Sequence, residues 1–240
     1  MTYNVLTLFP EMFSSVSQSS IWRKAIELNK AAVNTVDIRD YSKDKHRRAD
    51  DYPFGGGSGM VLKPEPIHAC FEGIVSVCTA PYLNIYMSPG GKPLTHHLVL
   101  DLMEYASLNI LCGHYEGVDA RVLDRHVDME ISIGDFVLTG GELAAMVLID
   151  ACIRHIEGVL GNNESVIDES FSDALLEHPQ YTRPAVFEDS AIPEVLLSGH
   201  HENVAAYRRC MSLYETAMKR PDLLSKTILS KEDIEYITQK

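Results

Sequence analysis

Ile131-Ser132-Ile133-Gly134-Asp135-Phe136-Val137-Leu138-Thr139-Gly140-Gly141-Glu142 is the stretch on which the fold turns. Its first residues alternate β-branched and small side chains, as a strand end does. Glycines at 134, 140 and 141 punctuate an irregular loop. From residue 142 to 154 the apolar Leu143, Met146, Val147, Ile149 and Ile153 recur at helical spacing. A strand, a glycine-bearing loop and a long helix make a pocket wall, because a ligand can approach backbone that carries no Cβ. That shape alone is also an ordinary strand-to-helix turn. Two further loops strengthen it: Gly113-His114-Tyr115-Glu116-Gly117-Val118-Asp119 and Ser88-Pro89-Gly90-Gly91 each follow a predicted strand. Such loops converge at strand carboxyl ends, where α/β proteins place ligands.

Outward from this stretch the chain alternates. Residues 3–9 read as a strand, and Pro10 and Glu11 open a helix that runs to about residue 28, carrying the only tryptophan, Trp22. A strand over residues 33–38 completes a βαβ unit, which implies a parallel sheet. A helix is predicted over residues 64–78 and a short strand over 84–87. Thr95 can cap a helix to about residue 105. Strands over 108–112 and 129–133 flank a short helix over 119–126. The first βα turn, Leu8-Phe9-Pro10-Glu11, has no G-x-G-x-x-G, which argues against a Rossmann fold.

Two regions break the alternation. In residues 39–61 five cations (Arg39, Lys43, Lys45, Arg47, Arg48) crowd around His46, ahead of Asp50-Asp51-Tyr52-Pro53-Phe54 and Gly55-Gly56-Gly57-Ser58-Gly59. A solvated loop would read this way, but in an acidic protein a phosphate-contacting patch is the favoured reading. The glycine run is not a phosphate-binding P-loop, because Met60 follows where Gly-Lys-Ser/Thr is required. Residues 158–172 are polar and aperiodic, either a linker or a loop that folds over substrate. Residues 175–193 are irregular with three prolines, and helices are predicted over 203–219, 221–224 and 231–238. Arg208, Arg209, Lys219 and Arg220 give that last part a local positive charge suited to an RNA stem.

With 240 residues, the chain allows one large domain or a medium and a small one. A formal charge of −13 argues against a broadly basic nucleic-acid coat, so any RNA must be held by a local patch. Five scattered cysteines without a C-x-x-C pair, and a chain that opens on a strand, fit a reducing cytoplasm. The most apolar run, residues 143–153, contains Asp150 and is too short to span a bilayer. His96-His97 and His200-His201 lack zinc-type spacing, so no metal cage built from protein ligands is expected.

Several motifs in order resemble one family. They are the Ile131–Glu142 stretch itself, CGHYEGVDAR at 112–121, DDYPFGGGSGM at 50–60, LLEHPQYTRP at 175–184 and SGHH at 198–201. Together they resemble the bacterial tRNA (guanine-37-N1) methyltransferases of the SPOUT superfamily. The resemblance covers nearly the whole chain. It implies an α/β fold of SPOUT type, a parallel sheet with a deep trefoil knot at about residues 86–141, plus a small, mostly helical C-terminal domain. The implied organisation is a knotted cofactor-binding domain over residues 1–158, a flexible linker over 159–174 and a tRNA-binding domain over 175–240.

The implied reaction is methyl transfer from S-adenosylmethionine to N1 of guanine 37, preceded by G36, in the anticodon loop of tRNA. The implied donor-binding residues are Tyr86, Met87, Ser88, Pro89, Gly113, Tyr115, Glu116, Ser132, Ile133, Gly134, Asp135, Phe136, Val137, Leu138, Gly140 and Gly141. Asp50, His46, Gly59, Arg183 and Arg208 are implied to contact RNA, and Arg154 to stabilise charge at guanine O6. The family places an aspartate before Ser-Phe in the linker; here Glu169 fills that position and Asp168 precedes it, so either carboxylate is the candidate base. Gly90 and His114 also depart from the common family residues, glutamine and arginine. A homodimer, a Mg²⁺ requirement met by substrate oxygens and carboxylates, a cytoplasmic setting, and no DNA or membrane partner complete the expectation. Rival readings are a SPOUT ribose 2′-O-methyltransferase and a non-catalytic RNA-binding module of the same fold.

Overall fold

The computed structural model describes residues 1–160, 170–171 and 173–238. The chain divides into two compact units, Met1–Asn163 and Glu164–Lys240.

In the first unit, five parallel strands form one sheet: β1 (Thr2–Thr7), β2 (Ala32–Asp37), β5 (Tyr82–Pro93), β6 (Ser107–Cys112) and β7 (Met129–Ser132), in the order β2-β1-β6-β5-β7. A two-stranded ribbon, β3 (Asp50–Asp51) with β4 (Val61–Leu62), closes the 39–61 region. Helices α1 (Ser14–Ser17), α2 (Ser20–Glu27), α3 (Pro64–Val75), α4 (His96–Leu102), α5 (Ala120–His126) and α6 (Glu142–Ile153) complete the unit. Strand side chains alternate between two cores. Tyr3, Val5, Leu83, Ile85, Leu108 and Ile110 pack with Trp22, Val99 and Leu148, while Leu6, Tyr86 and Leu111 pack with Ile67, Phe71 and Val122. This period-two division across a sheet gives three layers.

A row of amides crosses the sheet on the α3–α5 face. Asn34, Asn4, Asn109 and Asn84 stand in register on adjacent strands. Asn34 Nδ2 donates to Asn4 Oδ1 (3.0 Å), Asn4 Nδ2 to Asn109 Oδ1 (2.8 Å), and Asn109 Nδ2 to Asn84 Oδ1 (2.8 Å). Asn84 Nδ2 ends the row on the His126 carbonyl, at 2.8 Å. A one-residue slip of any strand would carry its amide to the opposite face, so the row fixes register.

Three expectations are corrected here. The predicted helix over residues 10–28 is interrupted: a 3₁₀ turn (Pro10–Phe13) and α1 precede α2, whose first residue, Ser20, sits at φ +46°. Serine-rich segments compete for their own backbone, and Ser19 Oγ donates to the Ser15 carbonyl. Ser88-Pro89-Gly90-Gly91 is an excursion within β5, since Met87 and Lys92 both pair with Ile131. A Cβ on Gly91 would lie 2.4 Å from the Ile131 nitrogen, so the returning strand needs glycine there. The buried stripe of α6 is Ala144, Ala145, Leu148, Ile149, Cys152 and Ile153, leaving Leu143 and Val147 half exposed. Apart from Glu142 and Asp150 the helix is apolar all round, so periodicity alone does not orient it.

The second unit holds a short hairpin, β8 (Val186–Phe187) with β9 (Ser190–Ala191), and the helices α7 (His201–Lys219), α8 (Pro221–Leu224) and α9 (Lys231–Thr238). Glu188 and Asp189 take positive φ in the hairpin turn, and α7 starts two residues ahead of the prediction. Among its described residues, Leu175, Leu213, Thr216, Leu223 and Asp233 are buried. No helix among the described residues is long and apolar enough to cross a membrane.

Candidate functional site

A cavity of about 260 Å³ opens at the carboxyl ends of β6 and β7 beside the excursion within β5, near the lower limit of ordinary small-molecule sites. Its walls are the three loops singled out in the sequence. Tyr86, Met87, Ser88 and Pro89 come from β5, Gly113, Tyr115 and Glu116 from the loop after β6, and Ser132, Ile133, Gly134, Phe136, Val137, Leu138, Gly140 and Gly141 from the loop before α6. Of the predicted donor-binding residues, Asp135 alone is absent from the lining. His114, Gly117, Ile131, Thr139 and Ala144 line it in addition. Four of these lie inside the quoted stretches. Ala144 sits in the first turn of α6, where the turn itself faces the cavity.

Close backbone packing holds the loops together. Gly141 N donates to the Gly113 carbonyl at 2.8 Å, and His114 bridges to Gly140 as in an antiparallel ladder. A Cβ on Gly141 would stand 2.8 Å from Cys112 Cα. Gly134 adopts φ +146°, a backbone conformation that glycine alone adopts readily. Beneath the loops Glu142 is 2% exposed and accepts from Thr7 Oγ1 at 2.8 Å. His114 Nδ1 lies 4.0 Å from Glu142 Oε2, buried and without a hydrogen-bond partner. Burial, then Glu130 and Cys112, raises the Tyr86 phenol above its ordinary range; burial, then Glu142, raises the Cys112 thiol well above its own. Both groups are neutral at pH 7 and shape the site by packing.

The Asp50–Met60 motif is stitched to this rim. Glu116 N donates to the Met60 carbonyl (3.0 Å), Leu62 N to Gly117 (2.9 Å) and Asp119 N to Leu62 (3.1 Å). Gly59, at φ +85°, lies so close that a Cβ would meet Glu116 Oε1 at 2.5 Å. Asp50 is half-buried in β3, and His46 is exposed. The cationic run is less available than its sequence suggests. Arg47 pairs with Asp40, Arg48 with Asp44 at 3.0 Å, and Arg39 donates to the Leu8 carbonyl at 2.7 Å. Lys43 and Lys45 remain exposed.

Arg154 caps the C-terminus of α6, half-buried. Arg183 and Arg208 lie exposed in the second unit. Asp168 and Glu169 fall outside the described residues. The second unit has a wider depression of about 590 Å³, but its Arg209 and Asp233 are already paired with each other at 3.0 Å. Convergent loops, glycine backbone and a buried polar atom without a partner mark the first cavity as the site.

Comparison with known proteins agrees over the whole length. The family described as tRNA (Guanine-1)-methyltransferase TrmD matches residues 1–226. A protein of Caldanaerobacter subterraneus subsp. tengcongensis named tRNA (guanine-N(1)-)-methyltransferase is 53% identical over 240 residues, covering 100% of this chain and 98% of its own. A Clostridium botulinum protein of the same name is 50% identical over 244 residues, with 100% and 99% covered. A third, from Geotalea uraniireducens, is 49% identical over 239 residues, with 100% and 96% covered.

Proposed function

We propose a specific reaction for this chain, which belongs to the tRNA (guanine-1)-methyltransferase family: methyl transfer from S-adenosylmethionine to N1 of guanine 37 in tRNA. The observation that carries it is the three-loop cavity at the carboxyl ends of β6 and β7 beside the excursion within β5, in a chain that matches the family along its length. The cavity suits such a donor. It offers backbone donors and acceptors around Tyr86, Tyr115 and Phe136, and one buried polar atom, His114 Nδ1, without a protein partner. Gly113, Ser132 and Gly140 would meet the ligand through backbone, and Glu116 would face its cationic end. The donor supplies a methyl group carried on a sulfonium sulfur.

The chain's own work is on the guanine. N1 carries a proton and is a weak nucleophile until that proton is removed. Glu169, or its neighbour Asp168, is the base that accepts it. Negative charge then spreads to O6, where the Arg154 guanidinium stabilises it. An anticodon-loop base can be splayed from its neighbours and presented edge-on, as recognition of single-stranded RNA favours. Asp50, His46 and Gly59 at the rim, and Arg183 and Arg208 in the second unit, are the proposed RNA contacts.

Finer features of the fold belong to the same reading. The chain between residues 86 and 141 is proposed to pass through its own loop as a trefoil knot, an exception to ordinary connection rules. The direct packing of Gly141 on Cys112 and Gly113 supports it. The proposed homodimer would cover Leu143, Val147, Phe136 and Val137, apolar side chains left exposed on the first unit. Mg²⁺ is proposed to bridge substrate oxygens and carboxylates rather than to sit in a cage of protein ligands. A cytoplasmic setting follows from the tRNA substrate.

Incubation with labelled donor and unmodified transcripts bearing G37 or A37, followed by nucleoside mapping, tests the reaction. Label is expected in 1-methylguanosine from the first transcript only; label in ribose, or from both transcripts, rejects it. Glu169→Gln and Asp168→Asn then identify the base, whose loss lowers kcat by about 10²–10⁴-fold.

A further inference from the structure

We propose that His68, Glu72 and His126 form a binding site for a zinc-class divalent transition metal ion, on the face of the first unit where α3 meets α5. His68 and Glu72 stand one helical turn apart on α3 and therefore share a face. His126 is the last residue of α5. One ligand atom from each of the three lies within 4.8 Å of the others. His68 Nδ1 and His126 Nε2 are 2.7 Å apart.

Two features preset His126 independently of His68. Its ring stacks on the buried Phe71, with centroids 5.2 Å apart and planes at 7°. Its carbonyl accepts the last amide of the asparagine row, from Asn84 Nδ2 at 2.8 Å. The ring is thus held by packing on Phe71 and its backbone by the sheet, which limits how far the ligand can move. Both histidines are half-buried and Glu72 is exposed, so the site is closed by protein on one side and open to water on the other.

The donor set selects the ion. Two imidazoles and one carboxylate suit Zn²⁺, and also Cu²⁺, Ni²⁺ and Co²⁺, with water completing the shell; Mg²⁺ and Ca²⁺ prefer all-oxygen sites. Bonds of about 2.0–2.1 Å to one ion would open the two nitrogens to about 3.3 Å, a small side-chain adjustment. Sequence spacing did not reveal the group, because the histidines are 58 residues apart. Its place in the fold gives it a consequence. Helices α3 and α5 leave the two loops that are stitched together at the cavity rim, through Leu62 N–Gly117 O and Asp119 N–Leu62 O. An ion joining His68, Glu72 and His126 therefore clamps the two helices behind that rim. This site is independent of the methyl-transfer reading.

The test uses the chelator-treated full chain. Calorimetric titration with ZnCl₂ is expected to show one equivalent bound and a higher melting temperature. CoCl₂ is expected to produce visible ligand-field bands from a low-coordinate site. His68→Gln should abolish both signals. Glu72→Gln alters only an exposed side chain, so it folds regardless, and it should weaken Zn²⁺ binding by at least about tenfold. Absence of binding to the natural chain would leave the histidine pair as a hydrogen bond between two helices and nothing more. Undiminished affinity in both variants would place the ion elsewhere, for example at His200–His201. Either result overturns the proposal.

Discussion

In the first unit a row of four asparagines runs through the sheet, while in the second the best-organised polar group is Arg209 clasping Asp233 beside α9. The first arrangement lies largely out of water, with Asn109 fully buried; the second keeps Arg209 about a third exposed. The difference teaches how each unit holds its form. The cavity is walled by three loops whose backbones pack directly on one another, so those loops must be held closely. The strands beneath it are pinned in register by groups that cannot be left unpaired. The helical unit carries much of its charge at the surface.

The largest effect expected from this contrast is at Asn109. Alanine there removes the acceptor for Asn4 Nδ2 and Cys78 Sγ and the donor for Asn84 Oδ1, so two interior amides and a thiol each lose one partner. A loss of about 3 kcal/mol is expected in the first unit. Asn34→Ala, at the exposed end of the same row, should cost less than about 1 kcal/mol. Chemical denaturation of both variants checks this. Equal losses would show that the row is not read from the inside outward.

Next in size is the close approach of the pocket loops. Gly141→Ala would place a Cβ 2.8 Å from Cys112 Cα, and neither backbone can move without opening the cavity. Overpacking of about 1–3 kcal/mol predicts a fall in affinity for S-adenosylmethionine of about tenfold or more. Gly90→Ala is the control. Its Cβ would meet nothing nearer than Ser88 Oγ, at 3.7 Å, so affinity should be unchanged although both residues belong to pocket loops. Calorimetry with the donor alone separates the two.

These variants also mark how far the chain can be read unaided. The pocket loops are legible because three glycine-bearing loops follow strands in the same half of the chain, where one such loop alone would read as an ordinary turn. The asparagine row left a trace that was passed over: Tyr3-Asn4-Val5, Leu83-Asn84-Ile85 and Leu108-Asn109-Ile110 repeat one polar residue between apolar ones. Pairing across strands is not encoded in any single segment, so the trace gains meaning only once the sheet order is known. The break before α2 escaped because no glycine or proline marks it. Leu143 and Val147 share their apolar helical spacing with the buried Ile149 and Ile153, so spacing alone does not mark them as half exposed. The basic run was legible as charge but not as free charge, since Asp40 and Asp44 partner it from within the same loop.

The smallest expected effect belongs to the second unit and depends on pH. Asp233 and Ser230 cap α9 reciprocally: Asp233 N donates to Ser230 Oγ, and Ser230 N to Asp233 Oδ2, each at 3.0 Å. Arg209 forks onto the same carboxylate, through Nη2 at 3.0 Å and Nε at 3.3 Å. The arginine hydrogen bonds, ahead of the contribution from Ser230, hold the Asp233 carboxyl below its ordinary value. A depressed carboxyl stabilises the fold at pH values above its unfolded value, near about 3.9, and loses that contribution as pH falls through the folded value. Asp233→Asn keeps the helix cap but removes the charge. At pH 7 it should cost about 1 kcal/mol, modest because the arginine is partly in water. Below about pH 3.9 the natural chain should converge on the variant as its own carboxylate is protonated. Thermal melts of both chains from pH 7 down to about pH 3 measure the gap. A gap that stays constant with pH would mean that Asp233 acts on α9 through shape and capping alone, and the contrast between the units would then lie in packing rather than in charge.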